Sequence, residues 1–166
     1  MPKEKTLILT TEQIHRKIVR IASEILEQNY REKELVVVGV AGRGEKLAMR
    51  IADRLAPSVP VTRLVIALDK DDPLTGPLRL SGQLADVANK SVILVDDVIN
   101  SGRTLIYAVR YLLEGNPKRL ATATLVDRFH RQFPVHADYV GLTLSTNLKE
   151  HISVELGNRH DAVYLE

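Results

Sequence analysis

The chain contains no cysteine and no tryptophan. Without cysteine, disulfides, thiolate zinc sites and cysteine nucleophiles are excluded together, and the composition suits a reducing cytoplasm. Aromatic residues make up only 4%, too few for the stacked platforms that grip single-stranded nucleic acid. No apolar run approaches the length of a membrane span. The start, Met1-Pro2-Lys3-Glu4-Lys5, is charged with no apolar stretch behind it, so no secretory signal is expected and the protein reads as cytoplasmic with no membrane partner. Neither sign of charge dominates: 23 Lys and Arg against 21 Asp and Glu give a formal net charge of +2, so any basic surface must be local. The phosphate-loop pattern G-x-x-x-x-G-K-[ST] is missing, and the glycines at 39–44 do not follow G-x-G-x-x-G.

At 166 residues the chain is expected to be one domain, 1–166, large enough to bury a real core. Thr10-Thr11-Glu12-Gln13 predicts a helix start, with Gln13 three residues after a capping Thr10. Ile14, Ile18, Ile21, Ile25 and Leu26 then repeat at helical spacing up to about Asn29. Leu35 to Val40 is a continuous apolar strand that runs into Ala41-Gly42-Arg43-Gly44. A second helix follows with Leu47, Ile51 and Leu55 on one face, stopped by Pro57 and Pro60. Val61 to Leu68 is strand-like. Asp69 to about Ala88 carries Pro73, Gly76, Pro77 and Gly82 and predicts a mobile excursion.

The stretch "VILVDDVINSGRT", residues 92 to 104, follows. Four apolar residues without polar alternation suit a strand buried on both faces of a parallel sheet, and Asp96-Asp97 is expected where that strand meets water. A helix runs on through Leu112 and Leu113 to Gly115-Asn116-Pro117. Leu120 to Val126 is another strand, ending in Asp127-Arg128, and Tyr139 to Leu142 a shorter one. The tail, Ile152 to Leu156 and Ala162 to Leu165 around Gly157-Asn158, alternates like a hairpin. Strand and helix alternate through the middle, so the fold class is α/β with a mostly parallel central sheet flanked by helices. Ligands of such sheets sit beyond the carboxyl ends of the strands, so Ala41–Gly44, Asp96-Asp97 and Asp127-Arg128 should converge on one cleft.

Each motif admits more than one reading. The 39–44 glycines make either an ordinary turn or a backbone approach to an anion, with Arg43 adding charge. Asp96-Asp97 is a solvated strand end, a magnesium site for phosphoryl transfer, or a grip on a sugar diol. Ser101 and Thr104 hydroxyls with the amides of 100 to 104 would make a monophosphate cradle. His15, His130, His136, His151 and His160 show no metal-ligand spacing.

Residues 92 to 104 resemble the phosphoribosyl diphosphate (PRPP) signature of type I phosphoribosyltransferases, two acids followed by a glycine-containing phosphate loop. "VVVGVAGRGEKLAMRIADRL", "VDRFHRQFPVHADYVG" and the closing "AVYLE" extend the likeness, over almost the whole chain, to the pyrimidine-operon regulators of that family that are also uracil phosphoribosyltransferases. The resemblance implies the type I phosphoribosyltransferase fold with a flexible hood loop at 69 to 88 and the C-terminal hairpin. It implies transfer from PRPP to a nucleobase, uracil first, with Mg²⁺ bridging pyrophosphate and ribose. Asp96 and Asp97 would hold the ribose hydroxyls and, through PRPP, the Mg²⁺. Asn100, Ser101, Gly102, Arg103 and Thr104 would bind the 5′-phosphate. Ala41, Gly42, Arg43 and Gly44 would bind pyrophosphate, with Arg43 joining the two aspartates in catalysis. Val126, Asp127 and Arg128, with the segment after Leu144, would line the base pocket.

The resemblance also implies a homo-oligomer, dimer or tetramer. Leader mRNA would meet a basic face made of Arg16, Lys17 and Arg20 together with His130, Arg131 and His136. Two departures bear on these expectations. Asn100-Ser101 stands where the regulators resemble Tyr-Thr, and purine-specific relatives carry an aspartate at the position of Asn100; an amide cannot act as a general base, which argues against purine salvage. Lys70 stands where the regulators have arginine, so charge is kept but the bidentate fork is lost. The alternatives are purine (hypoxanthine or guanine) salvage, or an RNA-binding attenuation protein with vestigial catalysis.

Overall fold

All six residues of Leu35–Val40 are buried, and a strand with no polar face must sit inside a sheet covered on both sides. The computed structural model, which describes residues 4–166, places it so. In chain order the elements are β1 (Thr6–Leu9), α1 (Thr11–Gln28), β2 (Leu35–Val40), α2 (Arg43–Leu55), β3 (Val61–Leu68), β4 (Leu78–Leu80), a 3-10 turn (Leu84–Val87), β5 (Ser91–Ile99), α3 (Arg103–Leu113), β6 (Arg119–Asp127), β7 (Tyr139–Thr143), β8 (Ile152–Leu156) and β9 (Asp161–Leu165). The larger sheet has the order β4-β3-β2-β5-β6-β7. Strand β2 pairs in parallel with β3 and β5, so that Val38 lies beside both Leu64 and Leu94. Strands β5, β6 and β7 continue in parallel, and β4 closes the edge antiparallel to β3.

Alternation along the central strands divides the interior into two layers. Leu35, Val37, Ile93 and Val95 face one side, where they meet Ile14, Ile21 and Ile25 of α1 and Leu47, Ile51 and Leu55 of α2. Val36, Val38, Val92 and Leu94 face the other, against Leu105, Ala108 and Leu112 of α3. The start of α1 has the expected capping box: Thr10 Oγ1 accepts the Gln13 amide at 3.2 Å, and the Gln13 side chain accepts the Thr10 amide at 2.9 Å.

The segment after β3 departs from the sequence expectation. Residues 69 to 77 do form a largely exposed loop, closed on itself by Asp69 and Asp72, whose carboxylates accept the backbone amides of Asp71, Asp72 and Thr75. The remainder is anchored: β4 pairs with β3, Ser81 exchanges two hydrogen bonds with Val65, and Val87 is fully buried. An open strand edge recruits a partner when one is within reach, and Leu78 and Leu80 supply the apolar side chains.

A second sheet, β1-β9-β8, carries the expected tail hairpin and one strand the pattern did not suggest, β1, paired antiparallel with β9. Asp161 fastens this sheet to the helices. Its carboxylate accepts both Arg50 guanidinium nitrogens, at 2.5 and 2.9 Å, while its amide and carbonyl bond the Thr11 hydroxyl. Burial alone would raise the Asp161 carboxyl, but the hydrogen bond and charge of Arg50 outweigh it and hold it below its usual range. An acid with a depressed folded-state pKa contributes stability that is present above the unfolded value and is lost as pH falls through the folded one. Asp161→Asn should therefore lower the thermal midpoint at pH 7, and the gap from the parent should shrink on acidification. A gap that stayed constant down to the acid range would remove Asp161 from this role.

Candidate active site

Strand β5 runs further than its apolar run suggests. It continues in register with β6 to the pair Ile99 and Asp127, and so carries Asp96 inside the sheet rather than to its margin. Asp96 is 6% exposed, which corrects the expectation of a solvent-facing acid. The flanking β6 and the start of α2 cover it. A Cβ on Gly44 would lie 2.9 Å from Asp96 Oδ1, so this close crossing of helix and strand needs glycine. Burial pushes the Asp96 carboxyl well above the ordinary carboxylate range; the neighbouring Asp97 adds to the rise and the Lys70 charge opposes it. Asp96 Oδ1 accepts the Asp97 amide at 2.9 Å, leaving Asp97 half-exposed in front of it.

Beyond the acidic pair lies a cleft of about 250 Å³ lined by Arg43, Lys70, Asp96, Asp97 and residues 98 to 105, with His151 and Ile152 on the far wall. Two helices start here. Both α2, behind Gly42 at φ +94°, and α3, behind Gly102 at φ +85°, begin without a side-chain cap. Left-handed backbone of this kind favours glycine, and it turns each chain from strand into helix within a few residues. Uncapped N-termini leave amides without partners and concentrate partial positive charge. In α3 the Arg103 amide reaches Ser101 Oγ at 3.2 Å, and the amides behind it remain available to an anion. The combination can hold a phosphate at α3, a second anionic group near Arg43 and Lys70, and a diol at the acids between them.

Several residues singled out from the sequence lie elsewhere. Of Ala41 to Gly44, Arg43 alone lines the cleft; Ala41 donates its amide to Ile66, Gly42 faces a neighbouring depression, and Gly44 backs Asp96. Val126 is fully buried in the core. Asp127 accepts Arg131 at 2.8 Å and the Phe129 amide at 3.0 Å. Arg128 is also buried, but its guanidinium reaches Asn100 in the cleft and the 146–150 loop.

The six basic residues come from α1 and from the 130s segment, and Arg20 reaches the edge strand after that segment by donating to the Val140 and Gly141 carbonyls. Helix α1 packs on the layer that holds α2, whereas Val135 in the 130s segment packs on the α3 layer. Most are also paired: Arg16 with Glu12, Arg20 with Glu24, Arg131 with Asp127 and His136 with Asp138. Sequence reasoning placed Lys70 only as a departure from pattern and read His151 as one of five scattered histidines; both line the cleft. Nothing local marks either one, since they arrive from the loop after β3 and from the turn into β8.

A mostly parallel sheet with an acidic pair between two uncapped helix starts defines an α/β protein equipped to hold an anionic, hydroxylated ligand at its carboxyl edge. The phosphoribosyl transferase domain model matches residues 6–158, and the chain belongs to that family. It is 42% identical over 165 residues to "Bifunctional protein PyrR" of Pelotomaculum thermopropionicum, covering 94% of this chain and 91% of the relative. The protein of the same name from Chloroflexus aurantiacus is 41% identical over 158 residues, covering 90% and 87%. Among solved structures, a hypoxanthine-guanine phosphoribosyltransferase of Bacillus anthracis superposes with a TM-score of 0.74 at 26% identity, covering 86% of this chain and 84% of that one. The fold is the type I phosphoribosyltransferase fold, and the chain is a pentosyltransferase that draws on PRPP.

The raised carboxyl of Asp96 has a measurable consequence. An acid whose folded-state pKa lies above its unfolded value loses stability as pH rises past the unfolded value, about 3.9. Asp96→Asn keeps an oxygen for the Asp97 amide and removes the ionisation, so it should unfold at higher temperature than the parent at pH 7. The advantage should vanish below about pH 4. An Asn variant less stable than the parent at neutral pH would contradict the buried, raised carboxyl.

Proposed function

We propose that this chain, acting as a single cytoplasmic domain within a homo-oligomer, transfers the 5-phosphoribosyl group of PRPP to uracil, yielding UMP and pyrophosphate. The observation that carries the reading is the acidic pair within β5 facing the uncapped start of α3 across one cleft. In this reading the α3 amides, Ser101 and Thr104 bind the 5′-phosphate, and Asp97 with Asp96 behind it grips the ribose hydroxyls. Arg43 and Lys70 receive the pyrophosphate. The bond from C1′ to the pyrophosphate oxygen breaks and the bond from C1′ to the base nitrogen forms, with the nitrogen's proton passing to solvent. The protein positions the reactants, and its cations stabilise the departing negative charge.

Among the described residues no cluster of three or more metal-ligating side chains exists; the acidic pair in the cleft offers one or two carboxylates. That matches Mg²⁺, which keeps waters and takes one or two carboxylates plus substrate phosphates. Asp97, and Asp96 once ionised, would hold it, and when bound it neutralises pyrophosphate charge. Uracil is favoured by the likeness to the PyrR proteins and by the amide of Asn100, which cannot serve as a base. No helix among the described residues is long and apolar enough to cross a membrane.

Pyrophosphate release should be followed with uracil, cytosine, hypoxanthine and guanine in turn. Release with uracil supports the proposal; release with a purine alone overturns it. Asp97→Asn, alone or with Asp96→Asn, should lower kcat/KM for PRPP by about 100-fold while far-UV circular dichroism stays unchanged, and retention of the parental value would move the site elsewhere. Limited proteolysis should cut first within 69 to 77, and PRPP with Mg²⁺ should protect that loop if it closes over the reaction. Cleavage at equal rates with and without ligand would count against closure.

The reading extends to leader mRNA of pyrimidine genes as a second partner. It is supported by the resemblance to the regulators and by the cations Arg16, Lys17, Arg20, His130, Arg131 and His136, although Glu12, Glu24, Asp127 and Asp138 lie against four of them. Titration with leader RNA at low salt, in the presence of UMP, should give an affinity that falls with salt. Arg16→Ala and Arg20→Ala should each flatten that slope by about one unit. Absence of binding under these conditions leaves a salvage enzyme alone.

A further inference from the structure

Arg128 is 8% exposed, yet among the described residues it makes no salt bridge. All its partners are neutral: Nε donates to Thr146 Oγ1 at 3.0 Å, Nη1 to Asn100 Oδ1 at 2.9 Å, and Nη2 to the carbonyls of Glu150 and Asn147 at 2.6 and 3.3 Å. A guanidinium has donors only. The atom of Asn100 that faces it must therefore be the carboxamide oxygen, and the amide orientation is settled by chemistry. The Asn100 main chain is held as well, because its carbonyl accepts Arg131 Nη1 at 3.1 Å. Asn100 lines the cleft and is exposed, and among the described residues its Nδ2 donates to nothing.

We propose that Asn100 is a base-reading residue, locked by Arg128 so that its NH₂ edge donates to a carbonyl oxygen of the pyrimidine. The inference rests on the uracil reading above and says how that base would be selected. A fixed donor accepts a keto oxygen and rejects an exocyclic amino group, since two donors would then face each other with neither satisfied. The buried, unneutralised cation behind the carboxamide polarises it and makes the NH₂ a better donor. Arg128 acts here as a positioning residue: it ties the phosphate loop, through Asn100, to the 146–150 loop, and it need not touch the base itself.

The experiment compares uracil, 2-thiouracil and 4-thiouracil, in which one carbonyl oxygen at a time becomes sulfur, a weaker acceptor. Steady-state kinetics would be measured for the parent, Asn100→Ala, Asn100→Asp and Arg128→Lys. The parent should discriminate against one of the two thio-bases, and Asn100→Ala should erase that discrimination. It should also lower kcat/KM for uracil about tenfold, the effect of one unmade hydrogen bond, with KM for PRPP held within about twofold. Asn100→Asp should lower uracil use further, because its carboxylate pairs with Arg128 and turns an acceptor toward the keto group.

Arg128→Lys keeps the charge but loses the fork. It should relax thio-base discrimination as Asn100→Ala does, and combining the two should add little more. If Arg128→Lys fails to fold, the two Asn100 variants, at an exposed position, decide the matter. A rise in KM for PRPP with unchanged discrimination would overturn the proposal and make Asn100 a phosphate-loop residue only. A parent enzyme that does not turn over uracil at all would instead overturn the uracil reading, so the two failures are told apart.

Discussion

The buried carboxyl of Asp96 is the constraint around which the cleft is arranged. A carboxylate removed from water is costly unless it is hydrogen-bonded or neutralised, and here its hydrogen-bond partner is the next residue's amide. The position persists because β5 is locked between β2 and β6, with helix α2 crossing so closely that only glycine fits at 44. Strand and helix thereby fix Asp96, and Asp96 fixes Asp97 in front of it. A rigid pair of acids whose inner member resists ionisation is poised to gain from any ligand that brings cationic or hydroxyl character. The stability given up at Asp96 is the local cost of that arrangement.

The three α-helices among the described residues show the same division between structure and site. Helix α1, which starts away from the cleft, has both halves of a capping box. Helices α2 and α3, which start at the cleft, have none and enter through left-handed glycines. A chain that can cap a helix with Thr10 and Gln13 gives up roughly 1 kcal/mol at each uncapped start. The amides so exposed are the ones an anion can occupy. Missing caps at two of the three α-helices among the described residues, both on one edge of the sheet, are thus a positional signal and not random imperfection.

Most of this architecture was legible in the chain because it rests on patterns of short range. The apolar runs at 35–40 and 92–95, the 3.6-residue repeats of α1 and α2 and the turn residues at 157–158 each depend on neighbours in sequence. What was illegible depends on partners distant in sequence. Strand β1 is four residues long and exists through its pairing with β9. Strand β4 hides inside a Pro- and Gly-rich stretch because the open edge of β3, and not its own composition, makes it a strand. Asp96 reads as a margin residue until the pairing of β5 with β6 shows that the sheet continues past it. Arg128 follows an acid at a strand end and suggests a pocket lining; only the fold reveals that it bridges two loops.

The cations on α1 and in the 130s are largely balanced by acids one turn away or at the sheet edge, so their field falls off quickly in salt. Arg43, Lys70 and Arg103 at the cleft make no salt bridge among the described residues, and neither does Arg128 behind it. Lys70 acts on Asp96 and Arg103 on Asp72 only through space, so these cations gain a counter-charge at contact distance when an anionic ligand arrives. At an effective dielectric near 20, a unit pair 4 Å apart interacts by about 4 kcal/mol, several times the value of an exposed surface pair. With a net charge of only +2 over the whole chain, long-range attraction does little. Binding of a polyanion is therefore decided inside the cleft, where the sequence leaves its positive charges unpaired.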